Sequence, residues 1–140
     1  EALAAARASA ESGNLRIEDM NNLAWLATAV PTLRGEGARW IQRALTKVTA
    51  PPPHVRNTAG VLAALSVDLT AAVPLLIESP KPTVLGYSDA DRLLWACVAA
   101  GLGLVADAKA ELRRIAPSTD DALSPGPSVY ELAQILLAEW

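Results

Sequence analysis

Chemistry in this 140-residue chain has to start from its titratable and nucleophilic side chains, and they are few. His54 is the single histidine and directly follows Pro51-Pro52-Pro53. One imidazole cannot assemble a His-based metal site or a Ser-His-Asp triad, so His54 reads as an exposed loop residue. Glu18 with Asp19, Asp89 with Asp91, and Asp120 with Asp121 place carboxylates at the close spacing that general acid–base work uses. The first two pairs fall at helix starts, where acids complement the helix dipole, and capping is their expected role. Gly101-Leu102-Gly103 lacks the preceding strand that a phosphate-binding loop requires. Cys97 is the one cysteine and lies in an apolar helical run, which excludes a disulfide framework and predicts a small buried hydrophobe. No catalytic, metal or cofactor-binding residue is assigned, and no cofactor is expected.

The elements that would position these residues are helices. Ala2 to Glu11 reads as a leading helix ended by Gly13. Glu18 to Val30 is a second, stopped by Pro31. Gly35 to Val48 is a third, with Ala38, Ile41, Ala44, Leu45 and Val48 on one face. The three prolines break the chain, and helices follow over Val55 to Ser66 and from an Asp68 or Thr70 cap to Pro80. A start at Thr70 sets Pro74 in the first turn, where its missing N–H costs little. Pro80 to Tyr87 is a loop. Ser88-Asp89 caps a helix to about Leu102, and Leu104 to Ile115 follows with Ala108, Leu112 and Ile115 inward and Lys109 and Glu111 outward. Lys109, Arg113 and Arg114 form a solvated basic face. Pro117 to Pro127 is a polar loop. Ser128 and Glu131 match a capping box that opens a last helix, with Val129, Leu132, Ile135 and Leu136 on one face. That gives about eight helices, joined mostly by connections short enough to force antiparallel neighbours.

Composition agrees. There are 28 Ala and 21 Leu but no Phe. Ala and Leu favour helix, and Ala allows close helix approach. A net charge of −3 and a pI near 5.1 exclude nucleic acid as the expected partner, because its binding needs clustered Lys and Arg. No apolar run reaches the roughly 18 residues of a membrane span, and no signal peptide is visible, so a cytoplasmic location is expected. The chain begins with Glu and ends on an apolar helical pattern at Trp140, which reads as a piece of a larger polypeptide.

The helical segments repeat. Runs starting at Asn22, Asn57 and Arg92 are offset by 35 residues, and each is small and apolar along most of its length. Such a period marks stacked supersecondary units, because one helix pair cannot bury its apolar face alone. The organisation resembles the tetratricopeptide repeat family. Asn21-Asn22-Leu23-Ala24-Trp25-Leu26 resembles its first helix, and Gly103 through Leu112 resembles its turn and second helix. Ala96, Gly103, Ala108 and Pro117 fit the family outline in the third pair, and Gly60 and Ala72 fit it in the second. The resemblance covers about Glu18 to Pro117. It implies an all-α, right-handed solenoid of antiparallel helix pairs in one domain over 1–140. The leading helix is 1–13, the repeats are 18–50, 54–80 and 88–117, and the trailing cap is 128–140.

Trp25 and Trp95 hold equivalent positions in their repeats, and Gly60 takes that position in the middle one. Either tryptophan packs in the core, or one lines the concave groove formed by the first helices of each pair, where aromatic anchors dominate binding. Trp40 and Trp140 are expected on partly exposed helices. The family's carboxylate clamp is not carried over, because the equivalent helices are mostly Ala, Val and Leu. The expected partner-binding residues are Asn22, Trp25, Asn57, Arg92 and Trp95. The expected function is a protein-interaction or scaffold module of bacterial type, binding a partner helix, peptide or neighbouring domain through an apolar groove and without catalysis of its own. The alternative is a regulatory helical domain of a larger enzyme, packed in cis. Homodimerisation through the end helices is the remaining partner expectation.

Overall fold

A computed structural model describes residues 16–78, 88–117 and 126–140. Among these residues there are seven α-helices and no strand. They are α1 (Ile17–Thr28), α2 (Arg34–Thr46), α3 (Pro53–Leu65), α4 (Leu69–Glu78), α5 (Asp89–Gly101), α6 (Val105–Leu112) and α7 (Val129–Glu139). A 3-10 turn at Pro31–Leu33 joins α1 to α2. The expected leading helix, the loop over Pro80 to Tyr87 and most of the polar loop before Gly126 lie outside the described residues.

Local chemistry explains the boundaries. Asp19 Oδ2 accepts from the Arg16 backbone N–H at 3.4 Å and from Arg16 Nε at 3.3 Å, fixing the start of α1. Pro53 opens α3 two residues before the expected start, because proline is tolerated where the N–H has no helical partner. His54 therefore sits in the first turn of a helix and not in a loop. Ser88 Oγ accepts from Asp91 N at 3.1 Å at the start of α5. Ser128 and Glu131 form the expected capping box on α7. Pro74 departs from expectation. Because α4 begins at Leu69, Pro74 is inside the helix and not in its first turn. Pro74 and Thr70 are both exposed, so the carbonyl left without its helical N–H faces solvent.

The links from α3 to α4 and from α5 to α6 are one turn built twice. Asp68 N donates to Ala63 O at 2.8 Å and Val67 N to Ala64 O at 3.0 Å. Leu104 N donates to Ala99 O at 2.9 Å and Gly103 N to Ala100 O at 3.0 Å. Both turns need a left-handed residue, with φ of 57° at Val67 and 89° at Gly103. Glycine meets that demand without strain, while a β-branched valine does not.

Packing follows the order of the chain. Each of the pairs α1–α2, α3–α4 and α5–α6 packs together, and the first helices also pack on one another, α1 on α3 and α3 on α5. Met20, Ala24, Ile41, Ala44, Val55, Ala59 and Leu62 form one buried cluster. A larger one runs from Val61 and Ala72 through α5 and α6 to Leu132, Ala133 and Leu136 of α7. Close approach is literal at Gly60, where a Cβ would lie 2.7 Å from Leu94 Cδ1. A tryptophan at this position would have to displace the Leu94 side chain of α5. Trp40, expected to be partly exposed, is buried against Leu23 and Ala27. Trp140 is half-buried against the larger cluster. Glu111, expected to face outward, turns inward to pair with Arg92 and so ties α6 to α5. None of the described helices is long and apolar enough to cross a membrane.

Helix α7 packs on α5 and α6 and reaches back to the beginning of the fold. Arg34, at the start of α2, donates from Nε to the Thr28 carbonyl at 2.9 Å and from Nη2 to Glu139 Oε2 at 2.8 Å. Cys97 is buried nearby, and burial pushes its thiol up to about 12 from an ordinary value of 9.0. Glu139 adds to the rise, while Arg34 opposes it.

Two outcomes follow. Replacing Val67 with glycine removes left-handed strain at an exposed turn and raises unfolding free energy by about 1 kcal/mol in urea melts. An unchanged or lowered midpoint contradicts the strain. For Cys97, the folded thiol stays neutral where the unfolded thiol ionises. Its contribution is complete below pH 9 and is lost as pH rises toward 12. Between pH 8 and 10 the wild type should lose about 1.4 kcal/mol more than Cys97→Ala. Superimposable pH profiles would refute the assignment.

Candidate functional site

The starts of α1, α3, α5 and α7 meet at a cleft of about 290 Å³. One face of α1 presents Glu18, Asn21, Asn22 and Trp25 to it, at the three- and four-residue steps that align side chains on a helix. The opposing wall is His54, Asn57 and Thr58 of α3. Ala90 of α5 and the Pro127-Ser128-Val129 entry to α7 complete it.

Most polar groups here are engaged. Asn57 Nδ2 donates to the Ala90 carbonyl at 2.8 Å, joining α3 to α5. Thr58 Oγ1 donates to His54 O at 3.0 Å. Ser128 Oγ accepts from Glu131 N. At the mouth, exposed His54 Nε2 lies 3.0 and 3.1 Å from the two oxygens of Glu18. Trp25 Nε1 donates to the Pro127 carbonyl at 2.6 Å across 102 residues of sequence. Its indole also lies against Gly126. One group stands apart: Asn21 is 8% exposed, and its Oδ1 is buried with no hydrogen-bond partner.

The fold brings together three of the five expected partner-binding residues, Asn22, Trp25 and Asn57. Arg92 is elsewhere, pairing with Glu111 and lying 3.7 Å from Asp89. Trp95 is 36% exposed on α5 and does not line the cleft. The equivalent tryptophans thus have different surroundings, because only Trp25 is met by the entry to α7. Glu18, Asn21, His54 and Thr58 were not singled out for binding. Their helical spacing around Asn22, Trp25 and Asn57 carried the signal. Pro127 had no local signal, since its contact is made across the whole chain. Among the described residues, no group of three His, Cys, Asp or Glu side chains is placed to hold a metal ion.

Comparisons with family models, with curated proteins and with solved structures each give no match to this chain.

A buried acceptor without a donor destabilises a fold by about 1–3 kcal/mol. Asn21→Leu, similar in volume and apolar, should therefore raise unfolding free energy by about 1–2 kcal/mol. A melt showing destabilisation would mean that Asn21 Oδ1 is satisfied within the native chain.

Proposed function

We propose that this chain is a protein-interaction module on a tetratricopeptide-like, right-handed solenoid of three helix pairs, acting without catalysis of its own. Its partner engages the cleft at the starts of α1, α3 and α5. The observation that carries this reading is the cleft itself. Residues from two successive repeats, Asn22 with Trp25 and Asn57, converge on it beside the unpartnered Asn21 oxygen. A site that is part indole and part amide suits a protein segment, which offers both apolar and hydrogen-bonding groups.

A second reading is a helical domain packed in cis within a larger enzyme. It draws on the seating of Pro127 against Trp25, where the same indole already receives a segment of its own chain. The two readings differ in whether a separate peptide gains access.

Peptides selected by display on the purified chain provide the test. Binders should shift the NMR signals of the Trp25 indole and the Asn22 and Asn57 amides. They should also lose at least tenfold in affinity to Asn22→Arg, which places bulk and charge in a cleft sized for one side chain. Selected peptides that leave these signals unmoved, or a library that yields none, would remove the support for binding in trans.

A further inference from the structure

We infer that the groove between α2 and α4 is a second docking surface, and that it takes an acidic amphipathic helix of a partner protein. No residue lines both the groove and the cleft, so this inference stands whatever occupies the cleft.

The packing order creates the groove. Helices α2 and α4 each pack on α3 but scarcely on one another, and a channel of about 560 Å³ stays open between them. Its floor is Ala59 and Ala63, one turn apart on α3, and Ala71 lines the α4 side. Side chains this small let an occupant approach the α3 backbone closely, as alanine does between helices within the fold. Their methyl groups offer no hydrogen bond. That suits a helix, whose backbone groups are already paired, and not an extended segment, whose backbone would need partners.

Charge selects the kind of helix. Arg39 and Arg43 stand one turn apart on the α2 wall, with Gln42 beside them. Both arginines are exposed, and among the described residues neither forms an ion pair. By contrast, Arg34 is held by Glu139 and Arg92 by Glu111. In a chain of net charge −3, two unpaired guanidiniums on one wall are a local reversal of sign. They match two carboxylates at the same one-turn spacing on a partner helix, because guanidinium and carboxylate form forked, charge-assisted hydrogen bonds. Asp68 lines the opposite side, where its Oδ1 accepts from Ala71 N at 3.3 Å. Its charge disfavours a helix with acids on both edges. The fitting occupant therefore carries acids along one edge and apolar residues toward the alanines.

The probe is a blocked peptide, acetyl-Ser-Ala-Leu-Glu-Ala-Ala-Leu-Glu-Ala-Ala-Leu-Glu-Ala-Ala-amide, and its control carries Gln in place of every Glu. In NMR titrations of the whole chain, the acidic peptide should shift the Ala63 and Ala71 methyl signals and leave the Trp25 indole in place. It should bind at least tenfold more tightly than the control, and rising salt should weaken it and not the control. Arg39→Gln combined with Arg43→Gln should erase the preference. Gln42→Glu, which keeps both arginines but adds a carboxylate to the same wall, should reduce it severalfold. Circular dichroism melts check that these surface variants remain folded. Equal binding of the two peptides overturns the inference. So does an acidic peptide that leaves both methyl signals unmoved, moves the Trp25 indole alone, or loses nothing to the arginine substitutions. Light scattering that shows a dimer abolished by the same substitutions would give the groove to a second copy of the chain and overturn the inference as well.

Discussion

Close approach of helices is the constraint on which everything else in this fold rests. Ala24, Ala27, Ala59, Ala96, Ala108 and Ala133 are almost completely buried, and at Gly60 even a Cβ would collide with Leu94. Side chains this small bring helix axes together and let backbone and Cβ atoms make the contacts that larger residues make elsewhere. The arrangement needs few aromatics, which is why a chain without Phe can still build a core. It also makes that core intolerant of growth, because packed interiors leave no slack for an added methylene.

The same constraint delivers the cleft. Helices drawn together along their lengths bring their starts to one end, and the polar residues of their first turns come with them. Asn57 spends its amide N–H on the Ala90 carbonyl and so holds α3 to α5. Trp25 spends its indole N–H on Pro127. Asn21 has no such structural employment for its oxygen, which is buried without a hydrogen-bond partner.

Much of this was legible in the residues. Capping chemistry at Ser88 and Ser128, the turn at Gly103, and the inward faces of α6 and α7 are local patterns, and local patterns survive folding. The 35-residue period aligns Asn22 with Asn57 and Arg92, and Trp25 with Trp95, but only Asn22, Asn57 and Trp25 meet at the cleft. Positions decided by distant partners were not readable. Trp40 is buried because Leu23 and Ala27 cover it, and Glu111 turns inward because Arg92 is there. Trp95 and Trp25 share a repeat position, yet their surroundings diverge because α7 returns to only one of them. His54 and Pro74 depart for a different reason. Proline tolerance at a helix start and on an exposed helix face widens where a helix can run, so proline alone marks its boundary poorly.

The return of α7 has a kinetic meaning. Repeats that touch only their neighbours unzip from whichever end is weakest, and their unfolding is a sum of nearly independent steps. Here Trp25 grips Pro127 and Arg34 grips Glu139, so the first helix pair and the last helix are also neighbours. Opening of α1 or of α7 therefore breaks contacts made by the other. Both contacts join residues more than a hundred positions apart, the kind of long-range pairing that raises contact order.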